Sequence, residues 1–148
     1  KYKKAGGSGY MFRTATVQDF SAVTGACLLV KTSVWDEVKG LDEAFAVAFN
    51  DVDFCLRVRD AGYRIAWTPY AQLTHYESKS RGGDEKDPVK AARFAAEQQR
   101  LYTVHGKENI LDDPYYNPNL TRDREDFSES DDLRGLKEGR ITVRYRGA

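Results

Sequence analysis

The sequence predicts an α/β fold in which a central strand, several helices and a short mixed sheet precede an extended C-terminal tail. Residues 23–30 form a nearly continuous apolar run of strand length, which is typical of a central strand covered on both faces. Residues 63–68 alternate between apolar and polar side chains, as a half-buried strand does. Capping residues and glycines between and after these segments indicate helices.

The first two helices are predicted from the residues at their ends. One spans residues 33–40, because Ser33 begins a sequence that resembles a capping box and a glycine follows the last apolar residue. The other would be capped by Asn50 or Asp51 and ended by Gly62. Its acidic first turn and its later arginines both complement the helix dipole.

A third, longer helix is predicted after a polar, glycine-containing segment. Asp87 would cap it, Pro88 would take its first position and Gly106 would end it. Apolar residues at helical spacing predict a stripe that faces the core or a domain interface. The stripe consists of Ala91, Phe94, Ala95, Leu101 and Tyr102. A further short strand is predicted around residues 71–75, with its side chains on one face.

Composition excludes several classes of protein. The 148 residues contain 23 Lys or Arg and 23 Asp or Glu, so the zero formal charge argues against nucleic acid as a partner. No apolar run approaches the roughly 20 residues of a membrane span, which leaves only peripheral membrane association open. The basic start lacks the apolar region of a signal peptide, and it lacks Met, so we expect either processing or an excised piece of a longer protein.

Domain boundaries follow from shifts in composition. We expect a basic, glycine-rich N-terminal segment at 1–22, the main domain at 23–111 and a polar tail at 112–148. Cys27 and Cys55 both lie in apolar stretches, where cysteine usually acts as a small hydrophobic residue. Two cysteines are too few for a disulfide framework, so a cytoplasmic location is expected.

The densest cluster of chemically active residues begins the second helix. A carboxylate at Asp51 could accept a proton from a substrate hydroxyl as a general base. The alternative is purely structural, with Asn50 as a cap and Asp51 and Asp53 bonded within the first turn. A single metal ion between Asp51 and Asp53 is doubtful, because residues two apart do not share a helix face.

Other candidates lie nearer the middle of the chain. His75 could bind a divalent metal at a strand end, although a lone histidine is more often a packing residue. Trp67 and Tyr70 could stack on a sugar ring or belong to the core and a turn. A polar loop offers hydroxyl groups, backbone N–H groups and two cations suited to phosphate contact, although charged surface loops without such a role are common. The candidate site residues of this loop are Ser78, Ser80 and Arg81. We interpret His105, beside Gly106, as structural.

The order and spacing of the motifs resemble the C-terminal half of a bacterial family 2 glycosyltransferase of the rhamnosyltransferase-like kind. The resemblance covers residues 23–127. Its motifs are TGACLLV at 24–30, GLDEAF at 40–45, FNDVDFCLR at 49–57, GYR at 62–64, TPYA at 68–71, HYESKSRG at 75–82 and DPYYNPNL at 113–120.

This resemblance implies a partial GT-A fold, a Rossmann-like sandwich, and an inverting transfer from a nucleotide sugar to an acceptor glycan with Mg²⁺ or Mn²⁺. Asp51 matches the catalytic base of that family, and Asn50 stands where many relatives carry Glu. Asp53 would support the helix start or contact the acceptor. His75 resembles a metal-holding histidine, and the loop that follows it would lie near the diphosphate.

The resemblance also implies that the donor-nucleotide half is missing, so the chain alone should be inactive. Two other functions remain open. One is a non-catalytic carbohydrate-binding or interaction domain, in which Asp51 only caps a helix. The other is a metal-dependent hydrolase that uses Asp51, Asp53 and His75.

Overall fold

The structure, a computed structural model, describes residues 9–74, 87–124 and 126–130. This part of the chain is mixed α/β structure with more helix than strand. In chain order, its elements are the 3₁₀ turn Tyr10–Phe12, β1 (Gln18–Asp19), the 3₁₀ turn Gly25–Cys27, α1 (Thr32–Glu37), α2 (Asn50–Asp60), β2 (Ala66–Trp67), α3 (Pro88–His105) and α4 (Lys107–Leu111).

The sheet of the described residues has two antiparallel strands. Gln18 pairs with Trp67, and the neighbouring residues of β1 and β2 pair in the same register. Beyond the strands, the Phe20 N–H donates to the Ile65 carbonyl at 3.0 Å. Of the strand predicted at 63–68, only residues 66–67 (β2) are confirmed, because the strand that pairs with them, β1, has only two residues. Residues 71–74 form no strand, and His75 lies outside the described residues.

The central strand predicted at 23–30 is wrong for this structure. Part of that segment is the 3₁₀ turn Gly25–Cys27, and Leu29 is 99% exposed. The Gly25 N–H donates to the Asp51 carboxylate, and the Ala26 N–H donates to the Thr24 hydroxyl. These N–H groups bind side chains, so they are not available to a neighbouring strand.

The helices predicted from end signals are confirmed in position. The Asp87 carboxylate accepts the Val89 and Lys90 N–H groups, Pro88 opens α3, and α3 ends at Gly106. α2 ends before Gly62, whose φ of +90° is readily adopted only by glycine.

The caps predicted for the first two helices are wrong. The N-cap of α2 is Phe49, which makes no side-chain cap bond, and Asn50 and Asp51 both lie inside the helix. The N-cap of α1 is Lys31, which makes no side-chain cap bond, and Ser33 lies inside the helix. At the other end, Gly40 has φ +63° and donates its N–H to the Trp35 carbonyl. A Cβ there would lie 2.8 Å from the Trp35 ring, so both the backbone angle and the packing require glycine.

The main hydrophobic cluster joins α1, α2 and the residue before β2. Its buried members are Val34, Phe54, Cys55, Val58 and Ile65. The rings of Trp35 and Phe54 add an aromatic contact at 5.2 Å. Burying each large apolar side chain contributes about 1.5–3 kcal/mol, so this cluster fixes α2 in place.

α3 packs against α2 with a different stripe from the one predicted. Leu101 is buried as expected, but Ala91 and Ala95 are exposed and Phe94 is 45% exposed. The other buried residue of α3 is Glu97. The pattern of apolar residues failed here because a polar contact, described below, brings Glu97 inside.

The segment after α3 contains α4, which the sequence did not predict, and part of the predicted tail. Leu120 and Thr121 are buried, and Leu120 forms an antiparallel bridge with Glu129. The described tail thus packs on the domain at this point. None of the described helices is both long enough and apolar enough to cross a membrane.

Candidate functional site

The turn that leads into α2 has an unusual backbone. Phe49 is its N-cap and has φ +63°, a left-handed conformation that is uncommon outside glycine. α3 holds this turn at two points. The Phe49 and Phe94 rings lie 4.9 Å apart, and the Ala48 N–H donates to the Glu97 carboxylate at 2.6 Å. The direction in which α2 begins is therefore set by contacts with α3.

The first turn of α2 satisfies its own N–H groups with side chains. The Asn50 Oδ1 accepts the Asp51 N–H at 2.8 Å, and the Asp51 Oδ1 accepts the Val52 N–H at 2.9 Å. The Asp53 N–H donates to the Phe49 carbonyl. The positive end of the helix dipole favours a negative charge at this position.

The second carboxylate oxygen of Asp51 reaches across to the 3₁₀ turn. The Gly25 N–H donates to the Asp51 Oδ2 at 2.8 Å. A Cβ on Gly25 would lie 3.3 Å from the Asp51 Cβ, so the absence of a side chain allows this close approach. Both oxygens of Asp51 are thus oriented by backbone N–H groups, which fixes the direction of the carboxylate.

Asp53 faces a different set of partners. Its side chain is 1% exposed, and its Oδ1 lies 2.8 Å from the His105 Nε2. Its Oδ2 accepts from the Arg57 guanidinium, whose other N–H groups reach the Val38 and Gly40 carbonyls. Asp53 is therefore buried within a network of polar contacts, and its role at the helix start or toward an acceptor stays a prediction.

A cavity of about 1560 Å³ opens beside the turn that holds Asp51. Thr24 and Ala26, the two neighbours of Gly25, line it. Trp67 also lines it, with its ring edge-to-face to Phe20 at 6.3 Å. Tyr70 is 85% exposed and is not part of the lining. Trp67 therefore lines the same cavity as the neighbours of Gly25, whereas Asp51 and Tyr70 do not line it.

The remaining predicted site residues are outside the described part of the chain. They are His75, Ser78, Ser80 and Arg81. Among the residues described, no group of three His, Cys, Asp or Glu side chains is placed to hold a metal ion. Asp51 and Asp53 bind separate partners, and His75, the third residue of the hydrolase alternative, lies outside the described residues. We accordingly assign no step to Mg²⁺ or Mn²⁺.

Sequence reasoning missed three residues that shape the site. Gly25 was noted only as part of a motif, Glu97 was not considered, and His105 was interpreted as structural without a partner. A signal existed for two of them. Glu97 and His105 each lie four residues from Leu101, so they share its side of α3.

Comparison with known proteins gives a consistent family. The family described as "Glycosyltransferase like family 2" matches residues 6–104. The O-antigen biosynthesis protein RfbC of Myxococcus xanthus is 32% identical over 108 residues, which are 73% of this chain and 8% of that protein.

Two further relatives cover different shares of the chain. The protein of Sinorhizobium fredii named "Uncharacterized protein y4gI" is 48% identical over 124 residues, which are 81% of this chain and 13% of that protein. The N-acetylglucosaminyl-diphospho-decaprenol L-rhamnosyltransferase of Mycobacterium tuberculosis is 34% identical over 80 residues, or 54% of this chain and 24% of that enzyme. The chain thus spans a quarter or less of the length of these relatives. No solved structure matches it.

Proposed function

Because this chain belongs to the glycosyltransferase family 2-like proteins, we propose that it is the acceptor-side half of an inverting glycosyltransferase in which Asp51 is the general base. Membership in the family implies the GT-A fold and sugar transfer. The rhamnosyltransferase and O-antigen relatives support a role in the biosynthesis of bacterial polysaccharide or cell-surface glycans.

The observation that carries this proposal is the orientation of the Asp51 carboxylate. It begins α2, is held by the Gly25 N–H at 2.8 Å, and lies next to a turn that lines the large cavity. A general base must be held within hydrogen-bonding distance of the hydroxyl that it deprotonates. Asp53, the alternative carboxylate, is buried against Arg57 and His105.

The proposed reaction is a single displacement. The acceptor hydroxyl transfers its proton to Asp51 as its oxygen forms a bond to the anomeric carbon. The bond between that carbon and the diphosphate oxygen breaks, and the nucleoside diphosphate leaves with the electron pair. Attack from the face opposite the leaving group inverts the configuration of the sugar.

Asp51→Asn in the complete enzyme tests this role. We expect turnover to fall at least about a hundredfold, the lower end of the effect of a general base, while donor binding is retained. Asp60→Asn is the matched control, because Asp60 is an exposed carboxylate at the other end of the same helix. Near-normal turnover in Asp51→Asn would remove Asp51 from this role and favour the carbohydrate-binding alternative.

The substrates to test first come from the names of the relatives. Release of nucleoside diphosphate can be measured from nucleotide-activated L-rhamnose, with N-acetylglucosaminyl-diphospho-decaprenol as the acceptor. We further propose that the 148-residue chain alone neither binds a nucleotide sugar tightly nor turns over, since it spans only 8–24% of these relatives. Tight binding of a nucleoside diphosphate by this chain in calorimetry would contradict that.

Several parts of the hypothesis stay predictions. They include acceptor contact by Asn50, Trp67 and Tyr70, diphosphate contact by the loop after His75, and a divalent metal in the complete enzyme. The cytoplasmic location and the peripheral membrane association also stay predictions.

A further inference from the structure

α3 buries one apolar and two polar side chains against the rest of the domain. Leu101 is 3% exposed, and Glu97, one turn earlier, is 5% exposed. The His105 side chain, one turn later, is 6% exposed. Glu97 and His105 both bond to groups outside α3. Buried polar groups cost free energy unless they are hydrogen-bonded. Two buried polar residues on a helix with many exposed positions therefore indicate a specific role for Glu97 and His105.

The contact of Glu97 is with the main chain just before the candidate base. The Glu97 Oε2 accepts the Ala48 N–H at 2.6 Å, next to the left-handed Phe49. The Arg93 guanidinium is 3.9 Å from the Glu97 Oε1 and is 39% exposed, so it contributes only a weak ion pair. The main function of the Glu97 carboxylate is therefore to hold a backbone N–H group.

The contact of His105 is with the helix just after the candidate base. Its Nε2 lies 2.8 Å from the Asp53 Oδ1. The other oxygen of Asp53 binds Arg57, which in turn binds the Val38 and Gly40 carbonyls. His105 thus connects α3 to a network that crosses the first half of α2.

These two contacts lie on either side of Asp51, three residues before it at Ala48 and two residues after it at Asp53. We propose that Glu97 and His105 are positioning residues, and that α3 uses them to aim the Asp51 carboxylate at the acceptor hydroxyl. The inference rests on the proposed function of Asp51. Misplacing a reacting group by about 1 Å can cost a hundredfold in rate, so a helix that fixes both flanks contributes directly to turnover.

The test is a double-mutant cycle in the complete enzyme with the donors and acceptor given above. Glu97→Ala removes the acceptor for the Ala48 N–H, and we expect kcat to fall about tenfold or more with the KM for the donor unchanged. Glu97→Gln keeps an oxygen that can accept the same N–H, so it should restore most of the lost turnover. His105→Ala should behave like Glu97→Ala.

The decisive comparison uses the Asp51→Asn background. If Glu97 acts through Asp51, Glu97→Ala should cause little further loss of the residual turnover there. Leu120→Ala, which removes a buried apolar side chain outside α2, α3 and the cluster that fixes α2, is the stability control and should leave kcat unchanged at temperatures below its unfolding transition.

The outcomes distinguish the positioning role of Glu97 and His105 from the general-base role of Asp51. An equal fractional loss from Glu97→Ala in both backgrounds, or no rescue by Glu97→Gln, would overturn the positioning role while leaving Asp51 as the base. Near-normal turnover in Asp51→Asn would instead refute the proposed function. If Glu97→Ala does not fold, the same cycle is run with His105→Gln.

Discussion

The buried network around Asp53 gives a quantitative prediction for Asp53→Ala. Removing one partner of a buried ion pair typically costs 3–5 kcal/mol. Here Arg57 keeps the Val38 and Gly40 carbonyls and is 25% exposed, so its charge stays bonded. His105, 6% exposed, loses its partner inside the protein. We therefore expect the lower end, a loss of about 3 kcal/mol in the free energy of unfolding.

Urea unfolding followed by tryptophan fluorescence measures this loss, since Trp35 packs against Phe54 of α2. With a denaturant slope of about 2 kcal/mol/M, the midpoint should fall by about 1.5 M. Asp19→Ala is the control, because its partner Arg64 is 79% exposed and the pair should contribute no more than about 1 kcal/mol. Equal midpoints for the two variants would refute the interpretation of Asp53 as an organising residue.

Two further predictions concern single groups. A thiol reagent should modify exposed Cys27 well before buried Cys55, because burial raises the pKa of the Cys55 thiol; simultaneous labelling in native protein would contradict the packing of α2. The hydrogen bond from Arg100 holds the pKa of Asp42 below its ordinary value of 3.8, so its stabilising effect is present above that pH and is lost as the pH falls through the lowered pKa. At pH 7, Asp42→Asn should therefore be less stable to denaturation than the unchanged chain. In acid the two should be equally stable. A difference in stability that persists in acid would argue against the Asp42–Arg100 bond.

Local signals were enough to predict α1, α2 and α3, although not α4. Asp87, Pro88 and Gly106 specify the ends of α3 by bonds and backbone angles within a few residues. The same holds for Gly62 after α2. Such features depend on the nearby sequence, so a single chain is sufficient to identify them.

Features that depend on distant partners were predicted less well. The apolar run at 23–30 matched a buried strand, but a strand also needs neighbours, and the Gly25 N–H binds Asp51 instead. The position of Asp51 on a helix start was predictable, whereas its bond to Gly25 was not. The same is true of Glu97 and His105, whose partners lie about 50 residues away in the sequence.

The close approach of Gly25 to Asp51 restricts how this site can evolve. With only 3.3 Å between a Cβ at position 25 and that of Asp51, even a methyl group presses on the methylene carbon that carries the carboxylate. A substitution at position 25 would therefore displace the Asp51 side chain. We expect substitutions at positions 25 and 51 to occur together in evolution. A library that varies Gly25 alone would mostly sample displaced carboxylates, whereas one that varies both could reach new arrangements of the base.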